Sequence, residues 1–161
     1  MFRLSRRAFL GLGLAIPVAA CGGGGRRAKK LERQEFNPPL YPNETPELRV
    51  LINKYARHYE LPPELLHKLA IRESTHRPWA VNRPYYGLLQ ILPATARSMG
   101  FEGQPKDLLD AETNLKYAGK YLRGAWLVSG GDIDGAINWY ARGYYYEAKR
   151  LGLLEETGLK T

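Results

Sequence analysis

Apolar positions recur at helical spacing along most of this chain. Leu48, Leu51, Ile52, Tyr55 and Tyr59 form a first stripe, the mark of an amphipathic helix with one buried face. Leu66, Leu69 and Ala70 form a second. Pro62 and Pro63 open it, at positions where a missing N–H costs little, and Glu64 suits the positive N-terminal end. Pro93 to Met99 reads as a short helix closed by Gly100. Asp110 is placed to N-cap a helix carrying Leu115, Ala118, Leu122 and Trp126. Gly130-Gly131-Asp132 breaks that helix, Ile133, Ala136, Ile137 and Tyr140 give the next stripe, and Tyr144 to Leu154 the last. No run alternates long enough for a sheet, although Tyr86 to Ile91 suits a short extended segment. The pattern predicts an all-α fold of about six helices in one domain over residues 47–161. A domain of that length buries roughly two thirds of its unfolded surface and needs no disulfide or metal staple.

Two stripes end in residues that do not suit a core. The position seven residues after Leu66 is Glu73. Desolvation on a packed face disfavours its charge, and the C-terminal end of a helix stopping near Ser74, Thr75 and Pro78 disfavours it further. Both effects favour a carboxyl that stays protonated, as a general acid must. The plainer alternative is a frayed last turn with Glu73 in solvent. Tyr140 likewise closes its stripe, just before Ala141, Arg142 and Gly143. It is either a core tyrosine or a ring whose hydroxyl serves a site.

The amino terminus lies outside this pattern. Ser5-Arg6-Arg7-Ala8-Phe9-Leu10 resembles a twin-arginine export signal. The apolar run from Ala8 to Ala20 is too short to span a bilayer and has signal-peptide length. Val18-Ala19-Ala20-Cys21 resembles a lipoprotein processing site, so residues 1–20 are expected to be removed and Cys21 to carry the lipid. Cys21 is the chain's one cysteine, which excludes a disulfide framework. Residues 21–46, with four glycines, a basic run and several prolines, read as a tether. As a loose coil it would reach roughly 25–30 Å. The whole chain carries a net charge of +8. Without Arg3, Arg6 and Arg7 the processed chain has 21 basic and 16 acidic residues. Such a balance often signals nucleic acid, but export argues against that partner and for an anionic wall or membrane surface.

Glu73-Ser74, Gly87-Leu88-Leu89-Gln90-Ile91 and Pro93-Ala94-Thr95-Ala96 together resemble the SLT-type lytic transglycosylases of bacterial cell walls, over roughly Leu48 to Tyr144. The resemblance implies a lysozyme-like fold. It implies cleavage of the β-1,4 link between N-acetylmuramic acid and N-acetylglucosamine, with a 1,6-anhydromuramic product. It makes Glu73 the catalytic acid and base, and gives Tyr140 a hydrogen bond to it. It makes Gln90 a substrate contact, Ser74 the polar neighbour of the acid, and Gly87 the point of close backbone approach to a sugar. Four positions depart from the family. Ala141 stands where an Asn is usual, Leu89 replaces Met, and His76-Arg77 precede Pro78 where an aromatic and Asn are common.

Tyr85, Tyr86, Trp139, Tyr144, Tyr145 and Tyr146 flank these motifs. Aromatic faces stack on sugar rings; Tyr86, beside Gly87, is expected to line the cleft. His58, His67 and His76 show no ligand spacing, so neither metal nor cofactor is expected. Two other functions compete with the transglycosylase. A lysozyme-type hydrolase would need a second carboxylate to activate water, with Asp107, Asp110, Asp132 and Asp134 available. A non-catalytic peptidoglycan-binding module would fit a site that has decayed at Ala141. The overall expectation is a monomeric periplasmic lipoprotein acting on peptidoglycan, anchored to a membrane through Cys21, with no nucleic-acid partner.

Overall fold

A computed structural model describes residues 36–159, and the export signal, Cys21 and most of the expected tether lie outside them. Among the described residues, six α-helices and one two-stranded hairpin make a fold that is lysozyme-like and all-α. Helix α1 (Pro46–His58) is N-capped by Thr45 and α2 (Pro63–Ser74) starts at the expected proline. Hairpin β1 (Val81–Asn82) and β2 (Tyr85–Tyr86) follows, then α3 (Pro93–Ser98) and a 3₁₀ turn over Pro105–Leu109. Helix α4 (Ala111–Val128) is the longest, and Asp110 caps it by accepting from Thr113 N at 2.8 Å. Asp132 caps α5 (Ile133–Arg142), and α6 (Tyr145–Leu151) ends the ordered helices.

Helix α4 is the spine, packed against α1, α3, α5 and α6. Leu115, Ala118, Leu122 and Ala125 on its buried face are fully enclosed, and they meet Ile52, Leu65, Leu66 and Leu69 in one continuous core. Gly124 makes room for Tyr144, since a Cβ there would collide with the phenol of that ring.

Three elements depart from the expected pattern. The last helix stops at Leu151, because Gly152 adopts φ +75 and turns the chain in the left-handed cap suited to glycine. Chain reversal at Val81 to Tyr86 forms a hairpin with too few residues to show alternation, and Tyr86 bridges Ile91 across the following turn. Residues 36–45, expected to belong to the tether, are instead held to the domain. Arg49 donates from Nη1 to Asn37 Oδ1 at 3.1 Å and to Pro38 O at 2.8 Å, and it forms an ion pair with Glu44.

Candidate active site

Helix α2 carries Glu73 in its last turn, and the helix ends abruptly there. Thr75 takes a left-handed φ of +54, and the N–H groups of Thr75 and His76 return to Ile71 O and Ala70 O. Glu73 is therefore fixed at a helix end rather than frayed. Its side chain keeps 22% exposure. Burial raises its pKa above the ordinary 4.5, against the opposing charge of Arg72. Arg72 Nε stands 3.5 Å from Glu73 Oε1 on a half-exposed side chain, a separation and exposure at which solvent screens most of the attraction.

The carboxyl opens into a cleft of about 530 Å³, within the size range of small-molecule sites. Arg72, Asn82, Tyr85, Gln90, Tyr121 and Arg142 are among its lining residues. Glu73 is the one carboxylate in that lining among the described residues. Of the four aspartates considered as a second carboxylate, Asp110 and Asp132 cap helices, Asp107 accepts from Gln104 N at 2.8 Å, and Asp134 pairs with Lys68 at 2.6 Å.

The turn opposite the acid is held from beneath. Leu88 and Leu89 are fully buried, and Asn114 of α4, also fully buried, serves the turn with its whole amide. Its Oδ1 accepts from Leu89 N at 2.9 Å, and its Nδ2 donates to Tyr86 O at 3.0 Å and Leu108 O at 2.9 Å. Tyr140 completes the clamp by donating its hydroxyl to Leu89 O at 2.9 Å. Sequence reasoning missed Asn114. Its signal was available: a polar residue one turn before Ala118, on the buried side of α4, needs a complete set of partners.

Several expected site residues take other places. Ser74 is 2% exposed and does not line the cleft. Its Oγ donates to Ala70 O at 3.3 Å and accepts from Arg77 N at 3.1 Å, so it finishes the helix instead of meeting a ligand. Gly87 does not line the cleft either. It adopts φ +81, and a Cβ there would collide with Leu108 O and Asn114 Nδ2, so the close approach it permits is to the protein's own backbone. Tyr85, not Tyr86, faces the cleft, while Tyr86 packs against the core. Successive strand residues face opposite ways, and adjacency to Gly87 did not settle the parity.

Gln90 lines the cleft, with its Nε2 donating to Ala80 O at 3.0 Å and Gly87 O at 2.8 Å. Two carbonyl neighbours fix the amide orientation and leave the side-chain oxygen as the group available to a ligand. Tyr140 also lines the cleft, but its hydroxyl proton is committed to Leu89 O rather than to Glu73. Its oxygen retains a lone pair that a protonated carboxyl can donate to. Burial, and then the nearby charge of Glu73, push the phenol pKa far up, so it stays neutral.

The model of the transglycosylase SLT domain matches residues 50–152. The chain belongs to this family. No curated protein and no solved structure matches it. An SLT domain acts on peptidoglycan as a lytic-transglycosylase-type enzyme, and that coarse role is this chain's. The family's usual Asn position, Ala141, faces the cleft, and the next residue supplies a cation there. Arg142 lies with its guanidinium carbon 3.7 Å from the Trp139 ring centroid, a stacking that orients a long side chain at modest entropic cost. Tyr121, Asn82 and Thr95 line the cleft as well and were not foreseen. Tyr121 sits mid-helix in α4, where only its tertiary neighbours reveal that it reaches the cleft.

Proposed function

We propose that the SLT domain cleaves the MurNAc-β-1,4-GlcNAc bond with formation of a 1,6-anhydromuramic end, and that Glu73 performs both proton transfers. The observation that carries this reading is that Glu73, with its pKa raised, is the one carboxylate lining the cleft among the described residues. Glu73 as the acid gives its proton to the glycosidic oxygen as the C1–O bond breaks, and the N-acetylglucosamine side leaves as an alcohol. The muramic acid's own N-acetyl oxygen stabilises C1. Glu73, now ionised, takes the proton from the C6 hydroxyl, whose oxygen closes onto C1, and the carboxyl is regenerated. Water is neither consumed nor released. The internal hydroxyl is already at high effective concentration, so no second carboxylate is required to position a nucleophile. Gln90, through its side-chain oxygen, and Tyr85 are the sugar contacts that the cleft geometry supports, in place of Ser74, Gly87 and Tyr86.

The cellular setting forms part of the same proposal. The export motif and Cys21 make a membrane-anchored periplasmic lipoprotein the reading that suits a wall-cleaving domain. Anchoring through two or more acyl chains is durable, whereas one is marginal.

Mass spectrometry of digested peptidoglycan tests the reaction. The expected muramic ends are lighter by one water than hydrolysed ends. Reducing muramic ends would replace this mechanism with a lysozyme-type hydrolysis. Cell walls that keep their turbidity would replace it with a binding module.

A further inference from the structure

A second polar cluster lies away from the cleft, and none of its members lines that cleft. Glu44, His67 and His76 come from the segment before α1, from α2 and from the loop after α2, and all three are buried. The spacing of these histidines gave no hint of a shared site, because the third member lies far upstream of both. The fold corrects that premise: one ligand-type atom from each residue lies within 4.8 Å of the others.

Hydrogen bonding fixes where the lone pairs point. Asn53 Nδ2 donates to Phe36 O at 3.4 Å, so its Oδ1 faces His67 Nε2 at 3.1 Å. His67 Nε2 must then carry the ring proton, which leaves a lone pair on Nδ1 in the neutral ring. The Nδ1 lone pair of His67 therefore faces Glu44 Oε1 at 3.3 Å and His76 Nε2 at 3.4 Å. Glu44 contributes the same kind of atom. Arg49 Nε occupies Oε1 once, while Arg49 Nη2 and Tyr41 N occupy Oε2 at 2.6 and 2.9 Å. The remaining lone pair of Oε1 is on the atom that faces both rings. Two acceptors at 3.3 Å repel unless a positive centre lies between them. A proton on His76 Nε2 would span 3.4 Å to His67 and 3.9 Å to Glu44, and one on His67 Nδ1 would span 3.3 Å to Glu44, all longer than an ordinary N–H···O bond. His76 Nδ1, on the other side of the ring, is buried and has no hydrogen-bond partner among the described residues. Protein hydrogen bonds alone leave this cluster incomplete.

We propose that Glu44, His67 and His76 form a structural binding site for a zinc-type divalent cation. Ligands about 2.0–2.1 Å from a tetrahedral ion stand about 3.3–3.4 Å apart. Two of the three separations are 3.4 and 3.3 Å, and the third, 3.9 Å, needs a shift of about half an ångström. The Asn53–His67 bond is the outer contact that fixes a ligating imidazole. Arg49 already offsets the charge of Glu44, which makes the site weaker than a free His₂Glu set. The bound ion would tie the segment before α1 to both sides of the helix end that carries Glu73.

Calorimetric titration of the tag-free processed chain with Zn²⁺, alongside the visible absorption of added Co²⁺, tests the site without reference to the reaction. The expected result is one ion per chain, a tetrahedral Co²⁺ spectrum, and a melting temperature that rises with Zn²⁺ concentration. His76→Phe is expected to weaken binding at least tenfold and Asn53→Ala about 10–100-fold, while His58→Ala leaves it unchanged. No binding at about 100 μM Zn²⁺, some hundred times a micromolar dissociation constant, would overturn the proposal. So would binding that His58→Ala removes and His76→Phe spares. Should His76→Phe fail to fold, the cobalt spectrum of the unaltered chain still decides. An octahedral spectrum counts against the site.

Discussion

Two glutamates bracket α2 and meet opposite fates. Glu73, at its C-terminal end, is partly buried beside one loosely placed arginine, and desolvation raises its pKa. Glu44, packed against the other side, is almost wholly buried. Burial alone would raise its pKa too. The bidentate contact with Arg49, and after it the Tyr41 N–H, hold it down at about 2. Burial therefore does not decide the protonation of a carboxyl here. The quality of its partners does. One glutamate is kept ready to give up a proton, and the other is locked as an anion that organises its surroundings.

Removing the proton from the first region gives the largest expected effect. Glu73→Gln retains size and polarity, so the melting temperature is expected to hold while wall-cleaving activity falls about 10²–10⁴-fold, the usual worth of general acid–base catalysis. Turbidity clearance by the purified variant measures it. Retention of more than about a tenth of the rate would move the chemistry to another group.

The second region is broken from the other partner. Arg49→Leu leaves Glu44 buried without its counter-ion, a loss of about 3–5 kcal/mol in stability by denaturant titration. Adding Glu44→Leu to the same chain is expected to restore part of that loss, because the pair couples. A second substitution that adds to the damage would show that Arg49 acts mainly through the carbonyls of Pro38 and Pro39.

Helices were legible in the sequence because each carries its own local evidence. Pro63 starts α2, Asp110 caps α4, and Gly130 to Asp132 separates α4 from α5. Glu73 was legible for the same reason, as a charge in an apolar stripe. The residues that misled were those whose role depends on a distant neighbour. Ser74 and Gly87 belong to the family's motifs, yet Ser74 closes a helix and Gly87 makes room for Asn114 and Leu108 O. His67 and His76 read as unrelated until the chain before α1 folded back over them. Tyr85 and Tyr86 differ only in strand parity, which a two-residue strand does not reveal.

Asn114 links that lesson to the cleft. Asn114→Ala strips partners from Leu89 N and Leu108 O, and one of two from Tyr86 O, which keeps the Ile91 N–H. Each buried group left unpaired costs about 1–3 kcal/mol, with some relief from water, so a net loss of about 2–4 kcal/mol is expected. The turn bearing Gln90 should loosen as well, raising KM more than it lowers kcat. A loss below about 1 kcal/mol would mean that the turn is held chiefly by Leu88, Leu89 and the Tyr140 hydroxyl.

The smallest expected effect separates the two glutamates by the sign of a slope. Glu73 has a folded-state pKa above the ordinary 4.5. Between those two values the native chain binds more protons than the unfolded chain, so stability falls as pH rises through that window and levels off above it. Glu73→Gln does not titrate, and every other group is shared with the unaltered chain. The difference in melting temperature, variant minus unaltered, should therefore be least below pH 4.5 and grow in the variant's favour through the window. It should then stay constant toward neutral pH. The same ionisation removes the general acid, so kcat/KM should fall on the alkaline side of that window. A difference that instead shifts in favour of the unaltered chain as pH rises would mean that Arg72 holds Glu73 as Arg49 holds Glu44, and that the cleft carries no protonated acid.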